Sequence, residues 1–299
     1  MSRRLDLPIT RELAGIKVDT LLKKHLGLSG TVVRRIKWLE DGILVDGKRV
    51  NTRFCPGAGQ VLSVRLSDPE RRSGILPTPG ELNIVFEDED VIVLNKAPGV
   101  PVHPGPGHYD DTVGNFLLHY YDSLGIESDF HPVHRLDRVV SGLMVLARNA
   151  DAASELSRQV REDEFQKEYL AVVHGKTEPS GRLCDLLARN KEERKTYVAP
   201  GPGKGVQEAI LDYETLAQKE GLSLVRIRLV TGRTHQIRCQ FSHRGFPLVG
   251  DRKYSLSPDD CDIALWSCRI GFTHPEDGRA MTFTALPPAQ WPWTLFNFN

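Results

Sequence analysis

The segment of this 299-residue chain that most invites chemistry is Pro132-Val133-His134-Arg135-Leu136-Asp137-Arg138-Val139-Val140-Ser141-Gly142, where one carboxylate sits between two arginines and an apolar run follows at once. Nearby positive charge favours the ionised form of a carboxylate. An ionised, partly desolvated aspartate is the group needed for attack at a sugar anomeric carbon. The same letters also describe a turn aspartate held in surface ion pairs, and taken alone the segment fits both. A second segment, Val230-Thr231-Gly232-Arg233-Thr234-His235-Gln236-Ile237-Arg238, follows a strand-like run, carries a glycine turn and opens a helical pattern. Two arginines and a histidine at a strand–helix junction suit an anion, or a buried carboxylate in need of a partner. A helix start with solvated basic residues fits that string equally well.

Other chemistries lack their residues. His134-Arg135-Leu136-Asp137 has letters of a kinase catalytic loop, but no Asp-Phe-Gly and no glycine-rich phosphate loop accompany it. Gly201-Pro202-Gly203-Lys204-Gly205 lacks P-loop spacing and reads as a hairpin tip. The histidines form no metal-ligand spacing, no Gly-x-Ser-x-Gly elbow occurs, and five cysteines are scattered without a Cys-x-x-Cys pair. Neither a metal nor a cofactor is therefore expected. No apolar run approaches the roughly 20 residues that span a bilayer, and the first residues hold no signal-like apolar core, so a cytoplasmic protein without a membrane partner is expected. The net charge is zero but unevenly placed: residues 1–68 hold 13 Lys/Arg against 7 Asp/Glu, and the rest is acidic by the same margin. A basic N-terminal part is a pointer to a phosphate-bearing partner, although basic helix faces are also common.

The elements that must carry these residues can be read from periodicity. Leu13, Ile16, Leu21, Leu22 and Leu26 recur at helical spacing from Thr10 to Leu26, and a second helix is expected from Thr31 to Glu40 with Arg34, Arg35 and Lys37 on one face. Ile43 to Val50 reads as a hairpin with an Asp-Gly turn, and Val61 to Leu66 as a strand. Ser67 to Gly80, with its prolines, reads as a linker. Beyond it, strands are expected near residues 85–86, 91–94, 142–147, 169–174, 209–215 and 222–230. Helices are expected at 112–118, 150–161 and 235–244. Strands without regular βαβ alternation favour an α+β fold with a mainly antiparallel sheet.

Two resemblances organise these readings. Lys17-Val18-Asp19-Thr20-Leu21-Leu22, the arginine-bearing helix and Leu44-Val45-Asp46-Gly47-Lys48-Arg49-Val50 resemble an S4 RNA-binding domain over about residues 10–66. That family usually reads Val-Asn-Gly at the hairpin and Gly-Asp before the last strand; here Asp46 and Gly59-Gln60 stand instead. The larger part resembles the RluA family of pseudouridine synthases. The resemblance rests on His134–Asp137 followed by Ser141-Gly142, on Lys167-Glu168-Tyr169 before a strand and Gly175, and on Thr231 to Arg238 at every position. Asn95-Lys96-Ala97-Pro98-Gly99, Val102-His103-Pro104 and Gly250-Asp251 with Tyr254 add to it. Val140 stands where the family often has Thr, and Leu265-Trp266-Ser267 where it usually reads Leu-His-Ala.

The resemblance implies an S4-like domain over residues 1–66, a linker over 67–80 and a catalytic domain over 81–299. It implies isomerisation of uridine in RNA, most often large-subunit ribosomal RNA and in some relatives tRNA, by a monomer that needs no cofactor. In that reading Asp137 is the nucleophile at C1′ or, alternatively, removes the C2′ proton to give a glycal; Arg238 is its ion-pair partner, with Arg233 a second candidate for that pair, and Tyr169 stacks on the uracil and assists at C5. Arg135 fills the place vacated by a flipped nucleotide or holds that nucleotide, His134 lines the substrate site, and Ile237 or Leu265 packs on the base. Arg34, Arg35 and Lys37 contact RNA backbone. Two rivals remain: a non-catalytic RNA-binding or ribosome-assembly protein on the same fold, and a carboxylate glycoside hydrolase, which needs a second acid that the matched segments do not supply.

Overall fold

The computed structural model describes residues 4–28, 30–37, 41–65, 71, 73–257 and 259–298, without the side chains of residues 31, 32 and 35. The N-terminal part contains β1 (Arg4–Pro8), α1 (Val18–Thr20) running into a π-helical turn (Leu21–His25), α2 (Gly30–Ile36), β2 (Ile43–Val45), β3 (Lys48–Arg49) and β4 (Val61–Arg65). Its strands form an antiparallel sheet in the order β1-β4-β2-β3. Leu21, Leu22, Val33, Ile36, Ile43, Leu62 and Val64 form an apolar cluster of its own beneath the helices.

The expected Thr10–Leu26 helix begins only at Val18. The backbone N–H groups of Gly15, Val18 and Asp19 donate to Pro56, Phe54 and Thr52 at 2.9 Å each, so the 52–56 loop takes donors that a helix would have used. Leu13 and Ile16 still pack on the cluster, which accounts for the helical spacing without a helix. β1 has no counterpart among the expected elements. The second helix ends at Ile36, and residues 38–40 lie outside the described residues. The Asp46-Gly47 turn has φ of 50° and 75°, the left-handed pair of a tight hairpin. The two departures from the S4 pattern meet there: Gln60 Nε2 donates to Asp46 Oδ2 (2.8 Å) and Val61 N–H to Asp46 Oδ1 (2.9 Å). These hydrogen bonds hold the Asp46 carboxyl below its ordinary range.

The larger part contains β5 (Ile84–Glu87), β6 (Val91–Lys96), α3 (Val113–Ser123), β7 (His131–Pro132), β8 (Ser141–Ala147), α4 (Ala150–Arg161), β9 (Gln166–His174), β10 (Ser180–Asn190), β11 (Lys195–Val198), β12 (Gln207–Lys219), β13 (Leu222–Leu229), α5 (Gln236–His243), β14 (Leu265–Thr273) and β15 (Ala280–Thr284). They build an 11-stranded sheet in the order β11-β10-β12-β13-β9-β14-β8-β6-β5, with β15 on β14 and β7 on β8. Every pairing is antiparallel except β8 with β14, so the fold is α+β with a mainly antiparallel sheet. The loop holding Gly201 to Gly205 is not a hairpin tip, because the strands it joins, β11 and β12, lie on opposite sides of β10.

Both faces of the sheet are covered. Ile92, Leu94, Met144, Leu146, Tyr169, Ala171 and Val173 share a core with α3 and α5, while Val91, Val93, Leu143 and Val145 pack with α4. Period-2 alternation between two apolar cores explains the unbroken apolar run in β8. The described part of the 67–80 segment lies against this unit: Arg71 donates to the Ser128 carbonyl (2.9 Å) and pairs with Asp122 (2.7 Å), and Asn115 Nδ2 donates to Leu76 O (2.7 Å). Among the described residues no helix is long and apolar enough to cross a membrane.

Candidate active site

The sheet forks at β14. Its first residues, Trp266 and Ser267, pair in parallel with Ser141 and Gly142 of β8; its later residues pair with β15 on the same edge. Gly142 has φ 106°, and a Cβ there would lie 2.4 Å from the Ser267 carbonyl oxygen. Only glycine lets β8 approach so closely while the chain turns in from the loop before it. That loop carries Asp137.

Several contacts fix the loop. Leu136 and Val140, on either side of Asp137, are buried in the core that holds Tyr169. The His134 ring packs on Phe165 (5.4 Å between centroids), and its Nε2 accepts the Val145 N–H (3.1 Å). Burial, and after it the charge of Lys167, pushes this imidazole down to about 3, in keeping with a neutral acceptor. Buried Lys96 donates to the carbonyls of Ala97 (2.7 Å), Val100 (2.9 Å) and Arg138 (3.1 Å), the last within the loop itself. Burial pushes the Lys96 ammonium down to about 7, against the pull of Asp137; the three carbonyl acceptors add to that pull, because three donated hydrogens require the charged form.

The opposite wall is the turn into α5. Gln236 ties it together: its Oε1 accepts from Thr231 Oγ1 (2.9 Å) and from the Arg233 N–H (3.0 Å), and its Nε2 donates to the Ile210 carbonyl (3.0 Å). His235, the residue before α5, is left-handed at φ 55°. Arg238, 5% exposed, points back toward Asp137 and donates Nη1 to Asp137 Oδ2 at 3.3 Å. Its principal partner is another residue. Asp251, 1% exposed, takes Nε (2.8 Å) and Nη2 (2.7 Å) in a two-point pairing and also accepts the N–H groups of Lys253 (2.9 Å) and Tyr254 (3.2 Å). Burial works against the Arg238 charge, and Asp251 and Asp137 more than offset it, holding the guanidinium above its ordinary range.

A cavity of about 670 Å³ lies between the two walls, lined by Asp137, Tyr169, Arg238, Ile237 and Leu265, with Arg135 and Arg233 also on its surface. Its size suits a nucleoside-sized ligand. Tyr169, on β9, is buried, and burial, then the Asp137 charge, raises its hydroxyl well above the ordinary range, so it is a neutral phenol. Arg135 is exposed. Arg233 donates Nε to the Glu208 carbonyl (3.0 Å), and Arg238, not Arg233, reaches Asp137. Arg34 is exposed and Lys37 half-buried on the N-terminal unit, away from this cavity; the Arg35 side chain lies outside the described residues. No cluster of metal-ligating side chains occurs among the described residues.

Sequence reasoning assigns Asp251 and Lys96 no role, although both stand in the matched strings. The available signal is a charged residue at the end of an apolar run: Asp251 directly after Leu248-Val249-Gly250, and Lys96 one residue beyond Val91-Ile92-Val93-Leu94, after Asn95. Such a position buries the charge and therefore demands a partner.

Residues 90–243, the span from β6 to α5 that supplies all of this cavity's lining but Leu265, match the family model described as RNA pseudouridylate synthase. The chain belongs to the RNA pseudouridylate synthase family. It is thus an isomerase of uridine in RNA. Relatives of this family cover nearly the whole chain. An RNA pseudouridine synthase of Bacillus subtilis described as uncharacterized, YlyB, is 34% identical over 95% of both chains. A protein of Neisseria meningitidis serogroup B named ribosomal large subunit pseudouridine synthase D is 32% identical over 95% of this chain and 79% of its own length. Among solved structures, the human RNA pseudouridylate synthase domain containing 1 superposes with a TM-score of 0.59 at 25% identity, over 71% of this chain and 87% of that one.

Proposed function

We propose that this synthase isomerises uridines of large-subunit ribosomal RNA, with Asp137 as the nucleophile and the N-terminal sheet unit as an S4-like module that grips RNA backbone. The observation that carries the reading is the meeting of Asp137, Tyr169 and Arg238, from three distant segments, on one cavity, with Arg238 3.3 Å from Asp137. The ribosomal target rests on the relatives named ribosomal large subunit pseudouridine synthase D, one of which matches across 95% of the chain, N-terminal unit included.

In this reading the target uridine leaves its stack to enter the cavity, at a cost of roughly a few kcal/mol that is smallest in loops and bulges. Exposed Arg135, at the cavity, takes the vacated place, and Ile237 and Leu265 pack on the base. Asp137 attacks C1′ as the N1–C1′ bond breaks. The freed uracil turns over Tyr169, C5 bonds to C1′ as the ester to Asp137 opens, and one proton passes from C5 to N1. The same carboxylate also serves a glycal route, in which it removes the C2′ proton. Because burial keeps Tyr169 neutral, its hydroxyl relays the C5 proton rather than taking it as a resting phenolate. Arg34 and Lys37 supply positioning contacts to phosphate, without base readout.

The test is a pseudouridine map of total RNA from a strain lacking the gene, complemented with wild type or Asp137→Asn. The expected result is loss of large-subunit ribosomal sites, restored by wild type alone. Loss confined to tRNA would overturn the ribosomal target, and restoration by Asp137→Asn would overturn the nucleophile.

A further inference from the structure

His235 holds a conformation and a set of partners that isomerisation through Asp137, Tyr169 and Arg238 leaves unused. A non-glycine residue in the left-handed region costs on the order of 1 kcal/mol and persists where its surroundings hold it. Here they do. The His235 carbonyl accepts the first helical N–H of α5 from Cys239 (2.9 Å), and its ring stands edge-on to Tyr254, 87° between planes and 5.7 Å between centroids. Tyr254 Oη accepts the buried Thr196 N–H (2.8 Å) and lies 2.9 Å from His235 Nδ1. With one lone pair of Oη taken by the Thr196 N–H, the phenol hydrogen has Nδ1 as an acceptor 2.9 Å away. Its donation there would put the imidazole hydrogen on Nε2. Nε2 faces the reacting carboxylate, 3.8 Å from Asp137 Oδ2, the same oxygen that Arg238 touches.

We propose that His235 is a positioning residue: Tyr254 donates to Nδ1 and so fixes its tautomer, and the resulting Nε2–H, together with Arg238, holds Asp137 Oδ2 so that Oδ1 is left to react. This rests on Asp137 being the nucleophile. The 3.8 Å separation is longer than a hydrogen bond and closes when substrate is bound, as site hydrogen bonds commonly do. The charged groups around the ring favour its neutral form. Arg238 lies on its own helix, Lys253 beyond Asp251, and Arg189 on β10, while Asp137 alone draws a proton toward it; with burial foremost, the ring is pushed down to about 4. Lys195 on β11 stands over the Tyr254 ring (5.0 Å).

Long-range ¹H–¹⁵N spectra of histidine-labelled, RNA-free enzyme read the tautomer directly, with His235→Gln assigning the signal. Neutral His235 with its hydrogen on Nε2 is expected at pH 7; a hydrogen on Nδ1, or on both nitrogens, overturns the proposal. This readout needs no substrate. A correct tautomer in an enzyme that leaves ribosomal uridines unchanged would count against the ribosomal target and not against His235. In turnover, His235→Asn tolerates the left-handed backbone but falls short of Asp137, and kcat should drop on the order of 100-fold with KM nearly unchanged. His235→Gln extends an amide N–H as far as Nε2 and should recover at least about tenfold of that loss. Tyr254→Phe removes the donor to Nδ1, which eases protonation of the ring; the charged imidazolium would bind Asp137 as a full ion pair and blunt its attack, so the acid limb of kcat should move to higher pH. Equal losses in the Asn and Gln variants at matched melting temperatures, or an unmoved acid limb in Tyr254→Phe, would overturn the positioning role.

Discussion

Replacing Asp251 with Asn separates two explanations of how Arg238 is held. Arg238 and Asp251 are 5% and 1% exposed, and the carboxylate accepts two guanidinium bonds at 2.7 and 2.8 Å. Removing one partner of a buried ion pair costs about 3–5 kcal/mol, because the remaining charge stays in a site that no longer neutralises it. Asn keeps one carbonyl oxygen for Arg238 or for the Lys253 and Tyr254 N–H groups, which places the expected loss near the low end, about 3 kcal/mol. For a unit of this size that corresponds to a fall in Tm of about 6–12 °C. Asp137→Asn is expected to behave oppositely. Arg238 keeps its two-point partner and gives up one bond at 3.3 Å, worth about 1 kcal/mol, so Tm should move by no more than about 4 °C while pseudouridine formation is abolished. In Asp251→Asn the untethered guanidinium turns both its donors toward Asp137, so kcat falls as well. Thermal melts of the two variants with pseudouridine assays on the same preparations decide the matter. Equal destabilisation by the two substitutions, or a stable Asp251→Asn enzyme, would refute the assignment of Asp251 as the anchor.

Gly142→Ala should fail to accumulate as soluble folded protein, or melt well below wild type. The new Cβ would meet Ser267 backbone at 2.4 Å with neither strand free to move, a misfit costing more than about 3 kcal/mol; a wild-type melting curve would refute the close approach. Stability should fall with acid. His134 and His235 are held down to about 3 and 4 in the folded chain, against about 6.5 when unfolded, so the unfolded chain takes up protons first and the loss runs from about pH 6.5 downward. At pH 5 each histidine accounts for about 2 kcal/mol, and a urea midpoint unchanged between pH 7.5 and 5 would contradict it. Arg34→Gln with Lys37→Gln should lower RNA affinity and reduce the slope of log Kd against log salt by about one for each phosphate no longer neutralised; an unchanged slope would remove the backbone role of that helix.

Elements whose period reports a single burial pattern are legible in the sequence. α4 over 150–161 follows the spacing of its apolar face between an Asn149 cap and a basic last turn. The hairpin at Asp46-Gly47 follows from left-handed turn chemistry. Elements that depend on distant partners are not legible. The segment from Thr10 has helical spacing, yet the Gly15, Val18 and Asp19 backbone donors go to residues 52–56. β10, β11 and β14 escape a periodicity reading because their burial patterns are mixed: β10 lies between two strands of one sheet, and β14 serves three neighbours. The Asp137 and Arg238 strings stand out by residue type. Their relation does not, because the residue that orients Arg238 is 13 positions further on, in a loop with no period at all.

That third residue changes the physical sense of the site. A carboxylate nucleophile has to stay charged, which favours a cation beside it, and has to keep an oxygen lone pair available, which a two-point arginine pairing would occupy. A lone Arg238 would face Asp137 edge-on and take both oxygens. Asp251 prevents this by engaging Nε and Nη2, so only Nη1 is offered to Asp137, and to Oδ2 alone. The buried pair of Arg238 and Asp251 is thus a device for rationing charge as well as a source of stability. The rationing depends on geometry more than on net charge. Exchanging Arg238 for Lys would preserve the charge but not the planar fork that keeps the two carboxylates on separate edges.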